Sequence, residues 1–125
     1  MNQPHRQKIG KWGETYAAQY LEEHGFHILA RNVRTSYGEI DLVARQEDHL
    51  VFVEVKTRTN LNFGLPENAI TARKLAHMVD SAQAFMAQNP ELAGQGWQID
   101  VIAIIGRPGS ADHRIDIQHF ENVAS

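Results

Sequence analysis

The stretch WQIDVIAII, residues 97–105, is apolar at almost every position and carries one acid, Asp100, in its interior. A strand with one face in water alternates apolar and polar residues, so a nearly continuous apolar run fits a strand covered on both faces. Such a strand demands layers on two sides of a sheet. The chain offers two helices for that purpose. Ile9, Trp12, Tyr16, Ala17, Tyr20 and Leu21 recur at helical spacing over 7–24, and Leu75, Met78, Val79, Ala82, Phe85 and Met86 do so from about Thr71 to Gln88. Between them, FHILARNVR (26–34), GEIDLVARQ (38–46) and HLVFVEVKTR (49–58) read as three strands. RIDIQHF (114–120) alternates and reads as an edge strand. The order α-β-β-β-α-β-β predicts one α/β domain over 1–125, a mixed sheet flanked by helices.

Glycine and proline punctuate this plan. Gly25 supplies a stop for the first helix, and Asn89-Pro90 ends the second. TNLNFGLPEN (59–68) reads as a loop. Gly10 and Gly13 each cost roughly 1 kcal/mol inside a helix. Either the first turn starts late or something approaches the backbone there.

Several function classes are disfavoured. The chain has no cysteine, which excludes disulfides and thiolate metal sites. No apolar run approaches the roughly 20 residues a membrane span needs, and the first residues lack the apolar segment of a signal peptide. A cytoplasmic protein is the expectation. Net charge is −3, which argues against a protein that coats nucleic acid. Residues 1–58 hold eight Lys/Arg and eight Asp/Glu, while 59–125 hold four and seven. A nucleic-acid site must therefore be a local patch, drawn from Arg6, Lys8, Lys11, Arg31, Arg34, Lys56, Arg58, Arg73 and Lys74.

The third strand poses a problem, because Glu54 and Lys56 interrupt Val51, Phe52, Val53 and Val55 on one face. If Glu47 and Asp48 form a two-residue turn, Gln46 pairs with His49, Val43 with Phe52, Asp41 with Glu54 and Glu39 with Lys56. Opposed Cβ atoms lie about 4.5–5.5 Å apart, and two carboxylates about 5 Å apart repel by roughly 3 kcal/mol at an effective dielectric of 20. A divalent cation between them reverses the sign of that interaction. The plain alternative is a solvent-facing strand edge with Lys56 paired to Glu39. Asp100 needs a partner, and could support Lys56 or cap the end of the sheet. Trp12, Tyr16 and Tyr20 lie on the apolar stripe, where a core role outweighs base stacking.

An acid on a first helix, an Asp on a strand and E-x-K on the next resemble the signature of the PD-(D/E)xK nuclease superfamily, here Glu14, Asp41, Glu54 and Lys56. More closely, GKWGETYAAQYLEEHGF, GEIDLVAR, LVFVEVKTR and WQIDVIAII resemble the YraN family over nearly the whole chain. The resemblance implies a restriction-endonuclease-like domain similar to Holliday junction resolvases. The implied function is a metal-dependent endonuclease hydrolysing phosphodiester bonds in DNA, branched or structured DNA included. A noncatalytic nucleic-acid-associated adaptor that retains the fold is the alternative. Asp41 follows Ile40 where the superfamily formula has proline.

On this resemblance Mg²⁺ or Mn²⁺ would be held by Asp41, Glu54 and the carbonyl of Val55. Lys56 would orient or deprotonate water, and Glu14 would approach from the first helix. Glu39 would be an accessory acid or, preferably, a partner for Lys56. Arg58 and Lys74 are candidates to contact the nucleic-acid backbone, and a homodimer would supply a wider basic surface.

Overall fold

The computed structural model describes residues 3–59 and 70–124, with side chains from residue 7 onward. Two helices, α1 (Gln3–Glu23) and α2 (Ala72–Gln88), enclose a sheet of β1 (His27–Thr35), β2 (Gly38–Gln46), β3 (His49–Arg58), β4 (Gly96–Ile105) and β5 (Asp116–Phe120). The strand order is β1-β2-β3-β4-β5. β3 and β4 are parallel and the other neighbours antiparallel. The expected element order and the mixed α/β sheet are both present. Apart from Thr59, the loop expected over 59–68 lies outside the described residues. No helix among the described residues is long and apolar enough to cross a membrane.

The helices begin and end where local chemistry dictates. α1 starts four residues earlier than expected, with Pro4 in its first turn, where a missing N–H is harmless. It stops at Gly25, whose φ of +89° favours glycine. The Phe26 N–H then donates to the Leu21 carbonyl and the Gly25 N–H to that of Glu22, closing the last turn. α2 is capped by Thr71, whose side chain accepts the Lys74 N–H.

Each sheet face has its own core. Ala17, Ala18 and Leu21 of α1 pack on Leu42, Ala44, Val51, Val53, Ile102 and Ile104. On the other face Ala82 of α2 packs with Ile40, Val43, Leu50, Phe52 and Ile99. β4 is buried on both sides from Ile99 to Ile104, as its composition demands. β5 is shorter than predicted, because Asp112–Arg114 form a 3-10 turn and pairing starts only at Asp116 with Ile105.

Asp100 is fully buried on β4 and does not serve Lys56. Its carboxylate takes hydrogen bonds from His119 Nε2 (2.6 Å), Gln98 Nε2 (2.8 Å) and the Asn122 N–H (2.9 Å). Tyr20 Oη of α1 lies 3.1 Å from His119 Nδ1, which extends the chain to the helix. Burial pushes this carboxyl up, but the bonds from His119, Asn122 and Gln98 prevail and hold it below its ordinary range. The network thus ties β5 and the residues after it to the centre of the sheet.

A carboxyl depressed in the folded state contributes stability above its unfolded pKa and loses it as pH falls through the folded pKa. Asp100→Ala is expected to cost about 3 kcal/mol or more, since several buried donors lose their acceptor. Urea unfolding at neutral pH checks the magnitude. The deficit relative to wild type should narrow in acid.

Candidate active site

The sheet forks at its centre. β2 and β3 pair from Gln46–His49 to Leu42–Val53. Beyond that point β2 stays with β1 as far as Thr35–Gly38, while β3 stays with β4 as far as Arg58–Ile105. The two-residue turn and the register from Gln46–His49 through Val43–Phe52 are as read from the sequence. The expected pairs Asp41–Glu54 and Glu39–Lys56 are not formed, because the strands have already parted. Asp41 stands where they part, and its Oδ2 accepts the Val55 N–H at 2.8 Å. A side chain here replaces a rung of the ladder.

The side-chain alternation of β2 slips at the same place. Ile40 and Val43 both pack toward α2, whereas Leu42 and Ala44 pack toward α1. A strict period of two cannot place Ile40 and Val43 on one face. The slip lies opposite Asn32, whose φ of +51° puts the neighbouring strand in the left-handed region between the pairs Arg31–Leu42 and Val33–Ile40. Asparagine tolerates that conformation better than most residues.

The slip turns Asp41 toward α1 and the acid waiting there. Glu14, Glu39 and Asp41 each offer a carboxylate oxygen, and these atoms lie within 4.8 Å of one another. The Asn32 amide, with its nitrogen turned toward the acids, donates to Glu39 (2.9 Å) and Glu14 (3.1 Å). Gly13 sets the approach of α1. A Cβ at that position would meet Thr57 Oγ1 at 2.0 Å and Thr57 Cβ at 3.0 Å. The costly glycine therefore marks a close helix–strand contact that brings Glu14 against the fork.

Glu54 and Lys56 lie on the other side. Val53 and Val55 pack toward α1, which sends their neighbours Glu54 and Lys56 toward α2. Lys56 Nζ pairs with Glu54 Oε1 at 3.2 Å, so Glu54, not Glu39, is its partner. Lys74, in the first turn of α2, is held below its ordinary range chiefly by the Lys56 charge, with Arg58 adding to the effect. Lys56, Arg58 and Lys74 thus form one cationic group. The two sides meet in a small cleft lined by Glu39, Ile40, Asp41, Phe52, Val53, Glu54 and Met78.

The electrostatics follow from this geometry. Burial is the main cause that pushes Asp41 up to about 7. The Val55 N–H opposes it, and the charges of Glu14, Glu54 and Glu39 add to it. Burial also raises Glu14, against the Asn32 amide, with Glu39 raising it and Lys11 and Arg31 lowering it. An all-oxygen set of crowded carboxylates fits a hard divalent cation such as Mg²⁺ or Mn²⁺. Sequence reasoning assigned Glu39 to Lys56 and overlooked Asn32. The signal for Asn32 was a poor strand former inside the strand ARNVR.

Two outcomes follow. Overpacking in Gly13→Ala should cost about 1–3 kcal/mol against the roughly 1 kcal/mol alanine gains over glycine in a helix, for a net destabilisation of up to about 2 kcal/mol. Thermal melts should show partial recovery when Thr57→Ala is added. Asp41 has a raised folded-state pKa, so the folded protein binds more protons than the unfolded chain between about pH 4 and 7, and stability falls as pH rises through that window. Asp41→Asn should therefore raise unfolding free energy by roughly 1–3 kcal/mol at pH 8. Urea melts should show little change at pH 4.

Residues 13–104, which contain Glu14, Asp41, Glu54 and Lys56, match the family described as uncharacterised protein family UPF0102. The chain is similar to a UPF0102 protein of Syntrophomonas wolfei, 42% identical over 104 residues, covering 83% of this chain and 90% of that one. It is similar to another of Roseiflexus castenholzii, 41% identical over 115 residues, covering 92% and 91%. A third, of Lachnoclostridium phytofermentans, is 46% identical over 92 residues, covering 74% and 78%. On the breadth of these matches, the chain belongs to the UPF0102 family, the YraN family of the sequence resemblance.

Proposed function

We propose that the fork is the active site of a metal-dependent endonuclease of restriction-endonuclease-like fold, hydrolysing phosphodiester bonds in DNA. One observation carries the reading. Glu14, Glu39 and Asp41 crowd their carboxylates within 4.8 Å, and burial with like charge pushes Asp41 up to about 7. That arrangement costs the fold free energy, and perturbed acids in a cleft are what catalytic sites require.

Mg²⁺ or Mn²⁺ bound there supplies charge neutralisation at the phosphate and a more acidic water. Asp41 and Glu14 would hold it, with Glu39, Glu54 and the Val55 carbonyl as further oxygen donors. The Val55 N–H fixes the direction of the Asp41 carboxylate. Beside Glu54, which lines the cleft, Lys56 would orient the attacking water by hydrogen bonding and offset negative charge that grows on the phosphoryl oxygens. Glu54 holds the Lys56 ammonium in place at 3.2 Å. Water adds its oxygen to phosphorus and releases a proton to solvent, the bond to the leaving sugar oxygen breaks, and the departing alkoxide takes up a proton from solvent. Arg58 and Lys74 hold flanking phosphates on the α2 side.

The alternative is a noncatalytic nucleic-acid-associated adaptor. Its support is the net charge of −3 and a lysine already paired with an acid.

Linear, single-stranded, flapped and four-way-junction DNA, each with Mg²⁺ and with Mn²⁺, separate the two readings. Wild type is expected to cut at least one substrate, and Lys56→Ala or Asp41→Asn to lower the rate by about 100-fold or more. Both variants should retain wild-type circular dichroism. A wild-type protein that cuts none of the substrates leaves the adaptor reading standing. Metal alone should raise the melting temperature of wild type, and Asp41→Asn should abolish that rise.

A further inference from the structure

The turn between β1 and β2 displays a large side chain from a clamped backbone. Thr35 pairs with Gly38, and the chain reverses through Ser36 and Tyr37. The Thr35 hydroxyl bridges the Gly38 carbonyl at 2.8 Å and the Ser81 hydroxyl at 3.0 Å, and it accepts the Tyr37 N–H at 3.1 Å. Ser81 is buried on α2, so the turn is fastened to the body of the protein. Tyr37 is nevertheless 53% exposed, the one exposed large hydrophobic side chain among the described residues.

The surroundings select a partner. Tyr37 stands two residues before Glu39, within about 7 Å along an extended strand. Arg34 pairs across the ladder with Glu39, and Arg31 is close enough to Glu14 to lower its pKa. Both arginines are exposed, and β1 is an outer strand of the sheet. An aromatic ring on a clamped turn, with an exposed arginine one rung below it and a second farther down the same strand, matches an unpaired base and the phosphates that follow it. Stacking on aromatic side chains accepts any base, while cations track the backbone.

We propose that the β1–β2 hairpin docks an unpaired stretch of a nucleic acid strand, with Tyr37 stacking on a base and Arg34 contacting a phosphate beside it. This rests on reading the fork as a phosphodiester site, since the hairpin would present the strand next to Glu39 and Asp41. A preference for substrates with unpaired nucleotides follows.

Fluorescence anisotropy with labelled oligothymidylate and with a blunt duplex tests it, using Ca²⁺ in place of Mg²⁺ to hold cutting in check. Tyr37→Ala should weaken oligothymidylate binding by about 5- to 150-fold. Tyr37→Phe should stay within about twofold of wild type, and duplex binding should be unchanged. Arg34→Gln should reduce the slope of log affinity against log salt by about 0.7. Each of three results overturns the proposal: Tyr37→Ala binding oligothymidylate as wild type does, loss of duplex and single strand in equal measure, or wild type binding neither probe. So does a changed oligomeric state of Tyr37→Ala in light scattering with unchanged binding, which would make Tyr37 a protein contact. Wild type that binds through Tyr37 but cuts no DNA overturns the nuclease reading and leaves the hairpin in place. Cutting that is indifferent to Tyr37 does the reverse.

Discussion

The hydrogen bond from the Val55 N–H to Asp41 is the contact around which the centre of the molecule is arranged. Where β2 leaves β3, backbone donors and acceptors lose their partners, and a partly buried N–H without an acceptor costs free energy. Asp41 meets that need with a carboxylate. The same bond fixes the carboxylate at the mouth of the cleft. One interaction therefore serves strand separation and site geometry together.

The structure holds one fully buried acid, Asp100, and one half-buried acid, Asp41, on one sheet and treats them in opposite ways. Asp100 has three hydrogen-bond donors around it and is held below its ordinary range. Asp41 has one backbone donor and three acids near it, and is pushed up to about 7. Both lose water, so solvation alone does not separate them; the neighbours do. Asp100 is a structural pin. Asp41 is a group whose environment favours taking up a proton or a cation.

The elements around the fork share that division. Gly13 gives up helix propensity to let α1 approach Thr57, and Asn32 accepts a left-handed backbone to turn β2 by one residue. Neither choice improves local stability. Both bring carboxylates together; Lys11 and Arg31 act on Glu14, while Lys56, Arg58 and Lys74 gather on the α2 side.

Much of the fold was legible in the sequence, because burial imposes a period. Continuous apolar residues in β4 and the helical stripe of α2 report how many faces each element hides. The Glu47-Asp48 turn fixed the hairpin register as far as Val43–Phe52. Glu54 and Lys56 could be picked out as charges in an apolar strand and Asp41 by its register against Glu54, while Glu14 was singled out by the family resemblance. Tertiary structure decided how these residues meet. Pairing on paper assumed a continuous ladder, whereas β2 and β3 each follow a different neighbour past Leu42 and Val53. That competition between strands moved Glu39 from Lys56 to Asp41 and gave Lys56 to Glu54. Periodicity is a property of one strand and can be read along the chain; a fork is a choice among partners, and it exists only once all five strands are in place.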